Sequence, residues 1–181
     1  MNNVLTKEKI EKVTKKLLDM CKEEQDIRGE FFRTGDQKDL EKVVPVDKRN
    51  REEFKKIFAE VGYISKEYGK EAQRSAFLIV QHMPKEELSF RKKYASLMKK
   101  DLKNIGSHRY AMIVDRNRTY EGKPQLYGTQ FMAVDGKKKT AKLMDTYKIE
   151  ELDIRRKRIG LWSIQEEIDM AKKVRGVTFV L

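Results

Sequence analysis

The stretch Ala76-Phe77-Leu78-Ile79-Val80-Gln81-His82 decides how the chain folds. Its first five residues form the longest strongly apolar run, bounded upstream by a helical pattern and downstream by Pro84. A run apolar on every side, with Ser65 available to start it and proline to stop it, predicts a helix buried by neighbours all round. At five residues it is far too short to span a bilayer. The rest of the chain should therefore supply the helices that cover it.

Upstream, Ile10, Val13, Leu17, Met20 and Cys21 recur at helical spacing among lysines and glutamates, which predicts an amphipathic helix over about 7–29. Phe31-Phe32 and Thr34-Gly35-Asp36 read as its exit with aromatic anchoring, and a polar loop is expected up to Pro45. Asp47 can then cap a second helix with a Phe54, Ile57, Phe58, Val61 stripe, Gly62 lying just past its end. Downstream of Pro84, Leu88, Arg91, Ala95, Met98 and Leu102 share one face. Gly106 ends that helix, and Ser107 can cap another that carries Ala111, Val114, Asp115 and Arg116.

Glu121-Gly122-Lys123-Pro124 breaks the helical pattern, and a β-hairpin is predicted over about 127–144, turning at Asp135-Gly136 with Lys137, Lys138 and Lys139 at its tip. Asp153 can cap a short helix through Arg155 and Arg156 to Gly160. Ser163-Ile164-Gln165-Glu166 has capping-box spacing and opens a last helix over about 163–174. The terminal Val177-Thr178-Phe179-Val180-Leu181 has strand propensity; it can add an edge to the hairpin or end as a tail. The expected fold is mainly α, a single domain over 1–181 with a bundle-like helical core and one small antiparallel hairpin.

The 181 residues carry a formal net charge of +12, a field that favours anionic partners such as nucleotides, phosphorylated metabolites or nucleic acid. Much of that charge is the solvated face of amphipathic helices. Cys21 is the only cysteine, so neither an internal disulfide nor a thiolate zinc cluster can form. The first residues meet charge before any apolar stretch and do not read as a secretory signal, which makes a cytoplasmic location the simplest expectation.

His82 follows the buried run directly and has the one side-chain type whose ordinary pKa suits proton transfer near neutrality, which makes it the candidate acid–base residue, with Gln81 beside it. Asp115 is a candidate to orient His82 or an arginine, and Arg116 to hold an anion. Gln125, Tyr127, Thr129 and Gln130 surround Gly128 where a loop feeds the hairpin, and suit a polar planar ligand. In Arg155-Arg156-Lys157-Arg158 one of the first two can turn inward to bind phosphate or carboxylate while the last two face water. Asp26 and Arg28 are candidate supporting groups. His82 and His108 have no acidic neighbours at ligand spacing, no serine sits in a nucleophile elbow, and Gly136-Lys137 lacks a phosphate loop's upstream glycine, so neither metal nor serine-triad chemistry is expected.

Asp26 with Arg28, Gln81-His82, Asp115-Arg116, Gln125 with Tyr127-Gly128-Thr129-Gln130, and Arg155-Arg156 before Gly160-Leu161 together resemble a bacterial family catalogued as domain of unknown function 6624. The Tyr-Gly-Thr-Gln block is the most specific part. The resemblance implies a common site and supplies no reaction and no cofactor. On the residues, the leading expectation is a small enzyme acting on an anionic, phosphate-bearing nucleotide or metabolite, with His82 as general acid or base. A binding module without chemistry and a basic protein that associates with nucleic acid are the alternatives.

Overall fold

The computed structural model describes residues 5–34, 37–135, 140–176 and 178–180. It is mainly helical: α1 (Lys7–Thr34), α2 (Gln37–Val61), α3 (Gly69–His82), α4 (Leu88–Lys100), α5 (Leu102–Ile105), α6 (Ser107–Tyr120), α7 (Leu152–Arg158) and α8 (Ile164–Arg175). Strands β1 (Phe131–Asp135), β2 (Thr140–Leu143) and β3 (Thr178–Val180) form one small sheet. Among the described residues no helix is long and apolar enough to cross a membrane.

The chain divides into two compact units, Met1–Glu87 with Ser96–Ile105, and Leu88–Ala95 with Gly106–Leu181. In the first, α1, α2 and α3 pack together around Leu17, Phe54, Ala72, Ala76 and Val80, all fully buried. The apolar run of α3 lies inside, as its sequence demands, and Met83 and Pro84 end the helix. Buried Asn50 of α2 donates to the Met20 carbonyl of α1 at 3.0 Å, satisfying a polar group that would otherwise be costly in this core.

The second unit is built on Leu143, Leu152, Ile164 and Ile168, with Phe131 and Phe179 packed against them. β1 and β2 pair antiparallel from Phe131↔Leu143 to Asp135↔Thr140, with a bulge between Ala133 and Asp135. The C-terminal segment does add a strand: β3 runs parallel to β2. The capping box is present, the Ser163 hydroxyl accepting from the Glu166 amide while Glu166 reaches back to the Ser163 amide.

Four expectations are corrected. The first helix extends past residue 29 to Thr34. No long loop leads to Pro45: α2 starts at Gln37 and carries the exposed proline inside it, so Asp47 is a mid-helix residue rather than a cap. Strand pairing starts at Phe131 rather than at 127, because Leu126, Tyr127 and Thr129 turn their amides toward Asp115. Asp153 does not cap its own helix; its carboxylate accepts from the Ile164 amide at the start of α8. Gly136, Lys137, Lys138, Lys139, Val177 and Leu181 lie outside the described residues.

Candidate functional site

Helical periodicity puts an acid where α1 should be apolar. Its buried face runs through Val13, Leu17, Met20 and Cys21, and the next position on that stripe is Glu24, only 4% exposed. Arg28 follows one turn later on the same face. On α2 the inward stripe passes Val43, Asn50, Phe54 and Ile57, and Asp47 stands one turn after Val43. The last residue of α3 is His82. These three helices bring Glu24, Arg28, Asp47 and His82 into one half-buried cluster.

The ring Nδ1 of His82 lies 2.9 Å from Glu24 Oε1, within ion-pair range though off the line of an aligned hydrogen bond. Arg28 bridges the acids: Nε donates to Glu24 Oε1, and Nη2 donates to Asp47 Oδ2 at 2.6 Å. Gln25 donates to the other Glu24 oxygen at 2.6 Å. His82, Arg28 and Asp47 keep 22%, 20% and 24% of their side chains exposed, so the cluster is open to solvent on one side.

The two acids are driven in opposite directions. Burial alone would raise Glu24, but contact with and charge on His82, helped by Gln25 and Arg28, more than reverse this and hold it at about 2. Burial raises Asp47; Arg28 and His82 pull against it while ionised Glu24 adds to the rise. One carboxyl is thus held low and its neighbour is shifted upward. Paired groups pushed apart in this way are the usual mark of divided acid–base roles.

Glu24, Asp47 and His82 can each offer one ligand atom, all within 4.8 Å of one another, a set that linear spacing could not display. Arg28 weighs against a cation there, because its guanidinium already bridges both carboxylates. A divalent ion would have to displace it.

In the second unit Asp115 of α6 is fully buried and organises the loop before β1. Its Oδ1 accepts from the amides of Leu126 (2.8 Å) and Tyr127 (3.0 Å), and its Oδ2 from the Thr129 amide (3.0 Å) and hydroxyl (2.9 Å). Burial pushes this carboxyl up, and those donors oppose the rise. Gln125, also fully buried, donates to the Gln130 and Met144 carbonyls and accepts from the Gln130 amide at 2.8 Å. Gln130 in turn accepts from Arg116 Nε at 2.8 Å.

Two arginines of α7 hold the other side of the same loop. Arg155 donates to the Leu126 carbonyl at 2.9 Å and to the carbonyls of Tyr147 and Lys148, its guanidinium 5.6 Å from the Tyr147 ring centre. Arg156, with no exposed surface, donates to the carbonyls of Tyr127 and Trp162 and to Glu167. Lys157 and Arg158 are exposed. Gly128 has φ +67°, and a Cβ there would stand 3.1 Å from Leu152. The left-handed turn favours glycine at that place, and any side chain there would press on Leu152.

Of the residues named from the sequence, His82 and Arg28 lie in the cluster, and Asp115, Arg116, Gln125, Tyr127, Thr129, Gln130, Arg155 and Arg156 lie in the loop network. Asp26 is exposed, and Gln81 is buried at the end of α3. Glu24 and Asp47 were missed. A glutamate on the apolar stripe of α1 was the available signal for the first; the second was hidden by treating Pro45 as a helix boundary.

A family model described as a family of unknown function (DUF6624) matches residues 11–179, and the chain belongs to that family. No curated protein and no solved structure matches it.

Proposed function

We propose that this family member is a small acid–base enzyme acting on an anionic, phosphate-bearing nucleotide or related metabolite, with His82 as the proton-transfer group. The observation that carries the reading is the His82 ring set against the buried, ionised Glu24 at the open side of the cluster. With Nδ1 2.9 Å from Glu24 Oε1, the Nε2 lone pair is left to take a proton from water or a substrate hydroxyl, and Glu24 stabilises the imidazolium that forms. Asp47, 2.6 Å from Arg28 Nη2 in the same cluster, is the second group proposed to exchange a proton with the substrate. Arg28 positions both carboxylates, and its Nη1, without a hydrogen bond among the described residues, can take a substrate oxygen.

The cluster's own cation supports chemistry without a metal. Asp115, Gln125, Arg155 and Arg156 shape the loop rather than meet a ligand, since their polar atoms are engaged within the protein. The net charge of +12 favours accumulation of anions near the molecule.

A panel of nucleoside mono-, di- and triphosphates and simple phosphate esters, assayed with the wild type and His82→Gln, tests this reading. Turnover of at least one panel member is expected to survive a chelator and to fall 100-fold or more in His82→Gln, with substrate binding retained. Binding without turnover in the wild type would favour a ligand-binding module. Equal turnover by the variant would remove His82 from the mechanism.

A further inference from the structure

The second unit contains a pocket of about 600 Å³, within the range of small-molecule sites. Its walls are mostly apolar, formed by Phe131 and Phe179 of the sheet, Leu161 and Trp162 of the loop after α7, and Ile168 of α8. Phe131 and Phe179 meet edge-to-face with ring centres 4.4 Å apart and pack against the unit's core. Trp162 is 58% exposed although it borders this concavity. Met170 and Val174 line the same hollow and are also exposed, and a contiguous apolar surface left in water is the kind that marks a binding site.

One end of the pocket is polar and held in place. Glu167 accepts from His108 Nε2 at 2.9 Å through Oε1, and its Oε2 takes the guanidinium of Arg156. Arg156, without exposed surface and also tied to the Tyr127 and Trp162 carbonyls, fixes the direction of that carboxylate. A carboxylate has about four acceptor positions, and the two protein donors leave room for a third. An anion would meet Glu167 at close range. A hydroxyl or amine would find an acceptor, and because Arg156 balances the charge, the donor need not be a cation.

We infer that this pocket binds a small apolar molecule carrying a single hydrogen-bond donor, its body against Phe131, Phe179, Leu161, Trp162 and Ile168 and its donor on Glu167. The site is formed by residues of the second unit alone. It also gives the loop network a use: the arginine that grips the Tyr127 carbonyl is the one that aims Glu167.

Trp162 is the only tryptophan in the chain, so its emission reports on this place alone. Equilibrium dialysis of the full chain with 2-naphthol and with naphthalene, alongside Trp162 quenching, tests the inference. Expected results are saturable uptake of 2-naphthol with matching quenching, at least five-fold weaker uptake of naphthalene, and at least ten-fold weaker uptake of 2-naphthol by Ala171→Phe. Ala171 lines the pocket and is half-buried, so the larger ring fills the space. An unchanged melting transition in Ala171→Phe shows that the fold is kept, and Leu161→Gln serves as a second variant if it is not. No saturable uptake of either probe, or equal uptake by both folded variants, overturns the site. Equal affinity for both probes overturns the role of Glu167. A dimer that dissociates in Ala171→Phe overturns it in favour of a second copy as the occupant.

Discussion

Glu24 and Asp47 share one arginine, yet acid affects them with opposite sign. Glu24 ionises at about 2 in the fold against an ordinary 4.5, so its contribution to stability is complete above pH 4.5 and is lost as pH falls toward 2. Asp47 and Asp115 are raised, so their ionised forms cost stability above the ordinary aspartate range and acid relieves that cost. Comparing the wild type with Glu24→Gln isolates the first effect: the wild type's advantage at pH 6, on the order of 2–3 kcal/mol, should shrink to near zero by pH 2 in denaturant titrations. Gly128 provides a second residue-scale test. Gly128→Ala combines a left-handed backbone with a contact against Leu152 and should cost about 1–3 kcal/mol in urea unfolding. At this scale the sequence disclosed residue types and little of their partners: Gln125 looked like a ligand contact, and only the fold shows its amide closed on its own loop.

At the scale of elements, periodicity did most of the work. The buried α3, the capping box of α8 and the strand character of 178–180 were all legible, because each depends on local pattern. Pro45 misled for a physical reason. Proline removes one amide and crowds the preceding turn, but a 25-residue helix packed on α1 and α3 can absorb that loss. The loss should be recoverable: Pro45 is exposed, so Pro45→Ala is expected to add about 1–3 kcal/mol and raise the melting temperature by several degrees, read by calorimetry. The hairpin shows the opposite limit. Its existence was legible, but its start was set by Asp115, on the preceding helix, whose buried oxygens recruit the amides of 126, 127 and 129 out of strand geometry.

Across the whole molecule, helical periodicity foretold a mainly helical protein, while the net charge of +12 pointed toward anionic partners and left the chemistry open. The cluster of Glu24, Arg28, Asp47 and His82 is assembled from α1, α2 and α3, and such a site is visible in no local window of the sequence. Steering by a net charge of +12 belongs to this scale. For an anionic substrate, KM should rise several-fold between 20 and 200 mM salt, chosen as roughly a threefold change in screening length, while kcat stays nearly constant. A matching fall in kcat would place the salt effect in the chemistry instead. Whether Glu24 holds the His82 ring so that Nε2 is the free base is read directly, without a substrate, by nitrogen NMR of the histidine rings. At a pH where His82 is neutral, the predicted spectrum has the proton on Nδ1 and a bare Nε2 in the wild type, with that preference lost in Glu24→Gln; a proton found on Nε2 in the wild type would contradict the account.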